Sequence, residues 1–193
     1  MHFEQIWTWL TLAYGLAIPI IVGVYWRAYG PSNFLWLSDI ALFFTFAALL
    51  SGNPLLASMP AVGVLALEIA WTADFLLRGR LIGLAAYMFD TKLPLYLRSL
   101  SLFHLALPPT LIFLLYRLGY DRRALIYQTL LTWAVLIACY VATDPNKNIN
   151  WVFGPGSEPQ RRVPPLLYLG LEMAILPLCL FLPTHLLLIV IFG

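Results

Sequence analysis

The chain has 193 residues, of which 62% are hydrophobic and only 10% are charged, and its formal net charge is +2. Soluble domains carry about 25% charged residues, so this composition excludes an ordinary soluble enzyme and indicates an integral membrane protein. The small net charge gives no support to nucleic-acid binding. The length suits a single transmembrane helical domain over residues 1–193.

Six apolar stretches follow one another along the chain, and a helix needs about 20 such residues to cross a bilayer. We expect transmembrane helices at residues 5–26, 34–50, 59–77, 97–118, 123–143 and 165–192. Pro108 and Pro109 predict a kink in the fourth of these helices, and Pro177 and Pro183 predict a bend in the last. The predicted fold is therefore all-α: a polytopic membrane protein, a bundle of about six transmembrane helices with proline kinks.

A hydroxyl and a carboxylate begin the second predicted helix, in the sequence Trp36-Leu37-Ser38-Asp39. A charged side chain near the bilayer centre costs about 2.5 to 3.5 kcal/mol on insertion scales, and such residues are often functional. Ser38 is either a nucleophile or a helical serine bonded to the carbonyl four residues earlier. Because adjacent positions point about 100° apart on a helix, Ser38 and Asp39 cannot both face one partner squarely.

The third predicted helix carries two carboxylates at different depths. Glu68 lies in the middle of the apolar stretch and is either a functional group or a protonated packing residue. Asp74 lies near the end, where we expect it to be solvated or paired with Arg78 four residues later. The apolar residues 81–88 beyond this helix are too few to cross the membrane and predict an interfacial or re-entrant segment.

His104 lies in the fourth predicted helix, far from either end of the chain. A buried imidazole is a general base, a packing residue or a metal ligand. As a general base it could be oriented by Glu68, in the way that a carboxylate orients the imidazole of a catalytic triad. Metal ligation would need partners from other helices, such as Asp39, Glu172 and His185.

The longest predicted loop, residues 144–164, contains amide and aromatic side chains. Asn148 and Asn150 could close a pocket around a polar lipid headgroup, and Trp151 fits the aromatic belt at a membrane interface. We therefore interpret these three residues as candidate substrate-binding positions. His185, close to the end of the last helix, is interpreted as an interfacial histidine.

Three short segments together resemble a known six-helix superfamily: Leu37-Ser38-Asp39-Ile40, His104 followed by Pro109, and Asn150-Trp151-Val152-Phe153. The superfamily comprises the bacterial YwaF-like membrane proteins and, more distantly, the eukaryotic ADTRP/androgen-induced-protein relatives. Its second helix supplies a Thr or Cys nucleophile, where this chain has Ser38, and a later helix supplies a histidine base. The resemblance implies action on acyl esters of lipids and a place in a bacterial inner membrane.

The sequence therefore predicts an intramembrane serine-type hydrolase or acyltransferase acting on lipid esters. Ser38 and His104 would be the reacting pair, with Asp39 or Glu68 orienting the imidazole. The first alternative is a non-enzymatic lipid-binding or transport protein that uses its intramembrane carboxylates. The second alternative is a metal-dependent intramembrane hydrolase. Membrane lipids are the expected partners, and no cofactor is expected.

Overall fold

A computed structural model of the chain describes residues 2–156 and 158–193. These residues form helices, short 3-10 turns and loops, without a β-strand among them, which confirms the all-α prediction. The α-helices are α1 (His2–Tyr29), α2 (Leu37–Ser51), α3 (Pro54–Leu76), α4 (Leu95–Leu100), α5 (Phe103–Leu118), α6 (Ala124–Ala142), α7 (Pro165–Ile175) and α8 (Leu182–Phe192).

Among the described residues, five helical stretches are long and apolar enough to cross a membrane. They are Phe3–Tyr29, Pro54–Leu76, Leu95–Leu118, Ala124–Ala142 and Pro165–Phe192. The second predicted transmembrane helix corresponds to α2, which is apolar but has only 15 residues. The chain is therefore a multi-pass helical membrane protein.

Helix α3 begins five residues before the predicted start at residue 59. Pro54 occupies its first turn, where a missing N–H is harmless. The Asn53 side-chain oxygen accepts the Leu55 N–H at 2.9 Å and caps the helix. Pro60, which lies inside the helix, is buried rather than placed at its start.

Two helices depart from regular geometry close to prolines. In the fourth predicted span the interruption comes at Ser101 and Leu102, immediately before α5, and α5 continues through Pro108 and Pro109. In the last span a π-helical turn, Leu176–Phe181, joins α7 to α8 and contains Pro177. A proline has no N–H for the carbonyl four residues earlier, and a π-helical turn widens the helix locally.

Helix α3 lies at the centre of the bundle and packs against α2, α5 and α6. Val62 of α3 and Leu107 and Leu111 of α5 are among the most deeply buried residues in the apolar core. Gly63 allows α6 to approach closely, because a Cβ at this position would lie 2.3 Å from Nε2 of the Gln128 side chain. Burial of these facing surfaces holds the centre of the bundle together.

The two ends of the bundle differ in what they carry. Arg117 at the end of α5 forms an ion pair with Glu4 of α1 at 2.9 Å, and the Tyr120 N–H donates to the Phe192 carbonyl of α8. We call this the terminal end. The opposite end, called the loop end, carries the connections over residues 77–94 and 143–164, and α2 starts there.

Candidate functional site

A buried glutamate–histidine pair joins α3 to α5 near the loop end. His104 Nδ1 and Glu68 Oε2 are 2.7 Å apart, and the two side chains are 14% and 4% exposed. Glu68 is thus the side chain in direct contact with the imidazole. Since Nδ1 is bound to the carboxylate, the other ring nitrogen, Nε2, points away from it and is the atom available for proton transfer.

Two aromatic rings enclose the His104 imidazole. Trp71 of α3 stacks on it at a centroid distance of 4.7 Å, and Phe103 stacks at 4.2 Å, each at an interplanar angle of 25°. Trp71 is itself stacked on Phe75 at 5.4 Å. These contacts fix the plane of the imidazole, while the Glu68 bond fixes its rotation within that plane.

Asp39 of α2 is buried and faces the interior of the bundle, as its cost at a lipid-facing position predicts. Its Oδ2 accepts a hydrogen bond from Asn33 Nδ2 at 3.0 Å. Among the described residues its buried Oδ1 finds no hydrogen-bond partner. Because α2, α3 and α5 pack against one another, they bring three ionisable side chains, Asp39, Glu68 and His104, into the bundle.

Ser38 is half-buried in the first turn of α2. Within residues 2–156 and 158–193, no hydrogen bond joins its hydroxyl to His104. Ser38 precedes Asp39 on α2, the helix that packs against the α3 and α5 helices carrying Glu68 and His104.

The two candidate asparagines of the long loop make structural contacts. Asn150 donates from Nδ2 to the Leu35 carbonyl at 2.7 Å and accepts the Leu37 N–H on Oδ1 at 3.0 Å, so it caps the start of α2. Asn148 is 1% exposed and bonds to the backbone of its own loop. These contacts account for both amides, and they make Asn150 a positioning residue for the helix that carries Ser38.

Trp151, the third candidate of this loop, is 38% exposed. Its φ angle is +63°, and those of Asn148 and Asn150 are +40° and +53°. Left-handed backbone at three residues other than glycine costs free energy, which the surrounding hydrogen bonds must offset. The exposed indole agrees with the interfacial position that the sequence predicts.

Sequence reasoning missed several polar groups around the Glu68–His104 pair. The Tyr25 hydroxyl and Ser101 Oγ are 2.8 Å apart in the interior. The Tyr14 hydroxyl and Trp71 Nε1 are buried and, within the described part of the chain, have no hydrogen-bond partner. In the sequence, a tyrosine or tryptophan inside an apolar helix looks the same as an ordinary core residue, so its polar atom attracts no attention. Buried polar groups of this kind are normally paired.

Asp74 has a different partner from the one predicted. Its carboxylate accepts backbone N–H groups from Leu81, Ile82 and Gly83 on Oδ1, and from Ala85 on Oδ2, at 2.7 to 3.3 Å. The expected ion pair with Arg78 is wrong, because the chain turns back after α3 and presents these amides to the carboxylate. Asp74 therefore anchors the loop that follows α3.

The remaining ionisable residues of the membrane region lie apart from His104. The Tyr120 hydroxyl and His185 Nδ1 are 2.5 Å apart near the terminal end. Glu172 on α7 has a buried Oε2 that finds no partner among the described residues. No group of three or more His, Cys, Asp or Glu side chains within those residues is arranged to hold a metal ion.

The fold and this site define the class: a polytopic helical membrane protein with a glutamate–histidine pair enclosed between its helices. No protein-family model, curated protein or solved structure matches the chain. The function is therefore argued from the geometry of the site.

Proposed function

We propose that this protein is an intramembrane hydrolase or acyltransferase that acts on acyl esters of lipids. The observation that carries the proposal is the bond from Glu68 to Nδ1 of His104. In serine hydrolases a carboxylate holds this same nitrogen, so that Nε2 is presented to the nucleophile. A substrate that dissolves in the bilayer suits a site enclosed by transmembrane helices.

In the proposed reaction Nε2 of His104 accepts the Ser38 proton as the Ser38 oxygen attacks the ester carbonyl. The tetrahedral intermediate collapses, the carbon–oxygen bond to the leaving alcohol breaks, and the imidazolium returns the proton to that alcohol. Water or the hydroxyl of a second lipid then attacks the acyl-serine and gives its proton to His104, the bond from the acyl carbon to the Ser38 oxygen breaks, and the imidazolium returns the proton to Ser38. Water gives hydrolysis, and a lipid alcohol gives acyl transfer.

The start of α2 provides the electrostatic part of the mechanism. The first N–H groups of a helix have no acceptor within the helix, and the helix dipole is positive there. Ser38 and Asp39 belong to this first turn, so in the proposed reaction their backbone N–H groups would stabilise the oxyanion that forms on the ester carbonyl as Ser38 attacks it. Asn150 already binds the Leu37 N–H and holds this turn in position.

A second candidate function is transport of protons or cations, or lipid binding without chemistry. The observation that favours it is the pair of buried carboxylate oxygens, Asp39 Oδ1 and Glu172 Oε2, that have no partner among the described residues. Intramembrane carboxylates of this kind mark ion and proton pathways in many membrane proteins. This candidate requires Asp39 but does not require the Ser38 hydroxyl.

Labelling of the purified protein by a lipid-like fluorophosphonate distinguishes the two functions. We expect the wild-type protein to label, and Ser38→Ala and His104→Ala each to abolish labelling, because the hydroxyl reacts only when a base accepts its proton. Asp39→Asn should slow labelling less. Ser51→Ala, at the other end of α2, is the matched control and should label normally.

The outcome that contradicts the proposed chemistry is labelling that survives Ser38→Ala, since the nucleophile would then be another residue. Wild-type protein that never labels and cleaves no ester, yet moves protons across vesicles, would support the transport function instead. Circular dichroism and gel filtration of each variant show whether the fold is retained.

A further inference from the structure

A groove opens at the terminal end of the bundle, opposite to the Glu68–His104 pair. It has a volume of about 420 Å³, which is within the range of small-molecule sites, about 300 to 1,000 Å³. Its lining comes from the start of α3, the turn between α5 and α6, and the end of α8. The lining residues are Pro54, Leu118, Gly119, Tyr120, Asp121, Arg122, Phe192 and Gly193.

Arg122 is the cation of this groove that a ligand can reach. Its neighbour Arg123 is bound to Asp121 at 2.7 Å, and Arg117 is bound to Glu4 at 2.9 Å. The hydrogen bond from Arg123 holds the pKa of the Asp121 carboxyl below its usual range, so this carboxylate stays charged and neutralises Arg123. Arg122 is exposed and has no carboxylate partner among the described residues.

The base of the groove is polar and its walls are apolar. Tyr120 is 8% exposed, and its hydroxyl lies 2.5 Å from His185 Nδ1. Arg122 lines the same groove as Tyr120. Leu118 and Phe192 supply apolar wall, and the exposed apolar surface of α8 continues from it through Leu187, Val190 and Ile191.

We propose that this groove binds the headgroup of an anionic phospholipid, with Arg122 paired to the phosphate. A guanidinium without a carboxylate partner makes strong charge-assisted hydrogen bonds to phosphate oxygens. The groove lies at the ends of the transmembrane helices, at the depth of lipid headgroups, and basic pockets between such helices are known to hold anionic lipids. The acyl chains would lie along the exposed apolar face of α8.

The experiment compares lipid retention by the full chain purified in detergent. Native mass spectrometry after incubation with equal amounts of phosphatidylglycerol and phosphatidylcholine measures the preference for the anionic lipid. We expect the wild-type protein to prefer phosphatidylglycerol, and Arg122→Gln to reduce that preference about fivefold, which corresponds to about 1 kcal/mol per basic residue near the membrane surface. Arg80→Gln, an exposed arginine at the loop end, is the control and should retain the preference.

Two results would overturn the proposal. One is equal retention of the two lipids by the wild-type protein. The other is an equal loss of preference in Arg122→Gln and Arg80→Gln, because the effect would then be one of net charge. Neither result depends on fluorophosphonate labelling, so this site and the proposed reaction can fail separately.

Discussion

Three side chains hold His104, and among the described residues only its Nδ1 is hydrogen-bonded. Glu68 lies 2.7 Å from Nδ1, and Trp71 and Phe103 stack on the ring. A base that is already held in one orientation loses no further side-chain entropy when it transfers a proton. Groups that position a base accelerate reactions in this way. Under the proposed function, Glu68 would therefore act through His104 rather than on the substrate.

Glu68→Gln should slow fluorophosphonate labelling of Ser38 by about 100-fold or more, because an amide no longer fixes the imidazole tautomer and stabilises no imidazolium. Rates of labelling over a range of pH values provide the measurement, and the shape of the pH profile should change. A purely structural role for Glu68 would alter protein yield and thermal stability but not that profile.

Glu172→Gln is the matched control for this prediction. Both glutamates lie within the membrane region, but Glu172 is on α7 and does not contact His104. Equal loss of labelling in the two variants would mean that any buried carboxylate supports activity, and the role assigned to Glu68 would be contradicted.

The sequence predicted the Glu68–His104 contact because a carboxylate and an imidazole in apolar helices must find polar partners. It did not predict the role of Asn150, whose bonds to Leu35 and Leu37 span 115 and 113 residues of chain. Nor did it predict stacking on Trp71, since the relative rotation of α3 and α5 decides which aromatic faces the histidine. Contacts between distant segments need the packed bundle.

The loop after α3 is held by one carboxylate, which accepts backbone N–H groups that regular secondary structure would pair with backbone carbonyls. Asp74 accepts four N–H groups from residues 81–85, which have no regular secondary structure. Gly79 is needed in the same turn, because it has a φ angle of +70° and a Cβ there would lie 2.5 Å from Ala86 Cα. The loop packs Ala85 and Met88 against Trp71, so its conformation supports the site.

Asp74→Asn should loosen this loop, because an amide cannot accept as many N–H groups as a carboxylate and each lost bond to a charged group costs about 1.5 to 3 kcal/mol. Limited proteolysis with trypsin measures the change, since Arg78 and Arg80 in the loop are exposed. We expect cleavage at these arginines to become at least tenfold faster.

Asp90→Asn is the control for the loop prediction, because its Oδ1 accepts one exposed N–H, from Lys92. If both variants were cleaved at the wild-type rate, Asp74 would not anchor the loop.

The sequence predicted Asp74 to be a helix-end acid that is solvated or paired with Arg78, because a spacing of four favours a pair within a helix. The turn at Arg78 and Gly79 ends that helix, so Arg78 does not lie one helical turn after Asp74 as the prediction assumed.

At the scale of the whole molecule, α3 is the helix around which the others are arranged. The composition and the apolar stretches were enough to predict a membrane protein of successive helical segments with approximate bounds, since a bilayer sets the length of a helix, although only five of the six predicted spans are long enough to cross. They did not predict the break before α5 or the π-helical turn in the last span. Both depend on how the helices pack rather than on apolar length alone.

Gly63→Ala tests this central packing. The added methyl carbon would lie 2.3 to 3.0 Å from the buried Gln128 side chain of α6, so α6 or Gln128 must shift. We expect a loss of about 1 to 3 kcal/mol in the free energy of unfolding, as for other overpacked cores. Thermal unfolding in detergent provides the measurement.

Gly23→Ala in α1 is the paired control, because nothing lies within 4 Å of its added Cβ. Alanine favours a helix over glycine by about 0.8 to 1 kcal/mol, so this variant should be as stable as the wild type or more stable. A Gly63→Ala protein that gained stability in the same way would show that α3 and α6 are not in close contact.

The shortness of α2 has a consequence for the bilayer itself. Its 15 residues span about 22 Å at 1.5 Å per residue, against a hydrocarbon thickness of about 30 Å. Lipids meet such a mismatch by thinning locally, at a modest free-energy cost. Under the proposed function, such thinning would bring ester bonds and water closer to the first turn of α2 than to the longer helices. Local thinning of the membrane would then bring the ester to Ser38 while the lipid stays in its leaflet.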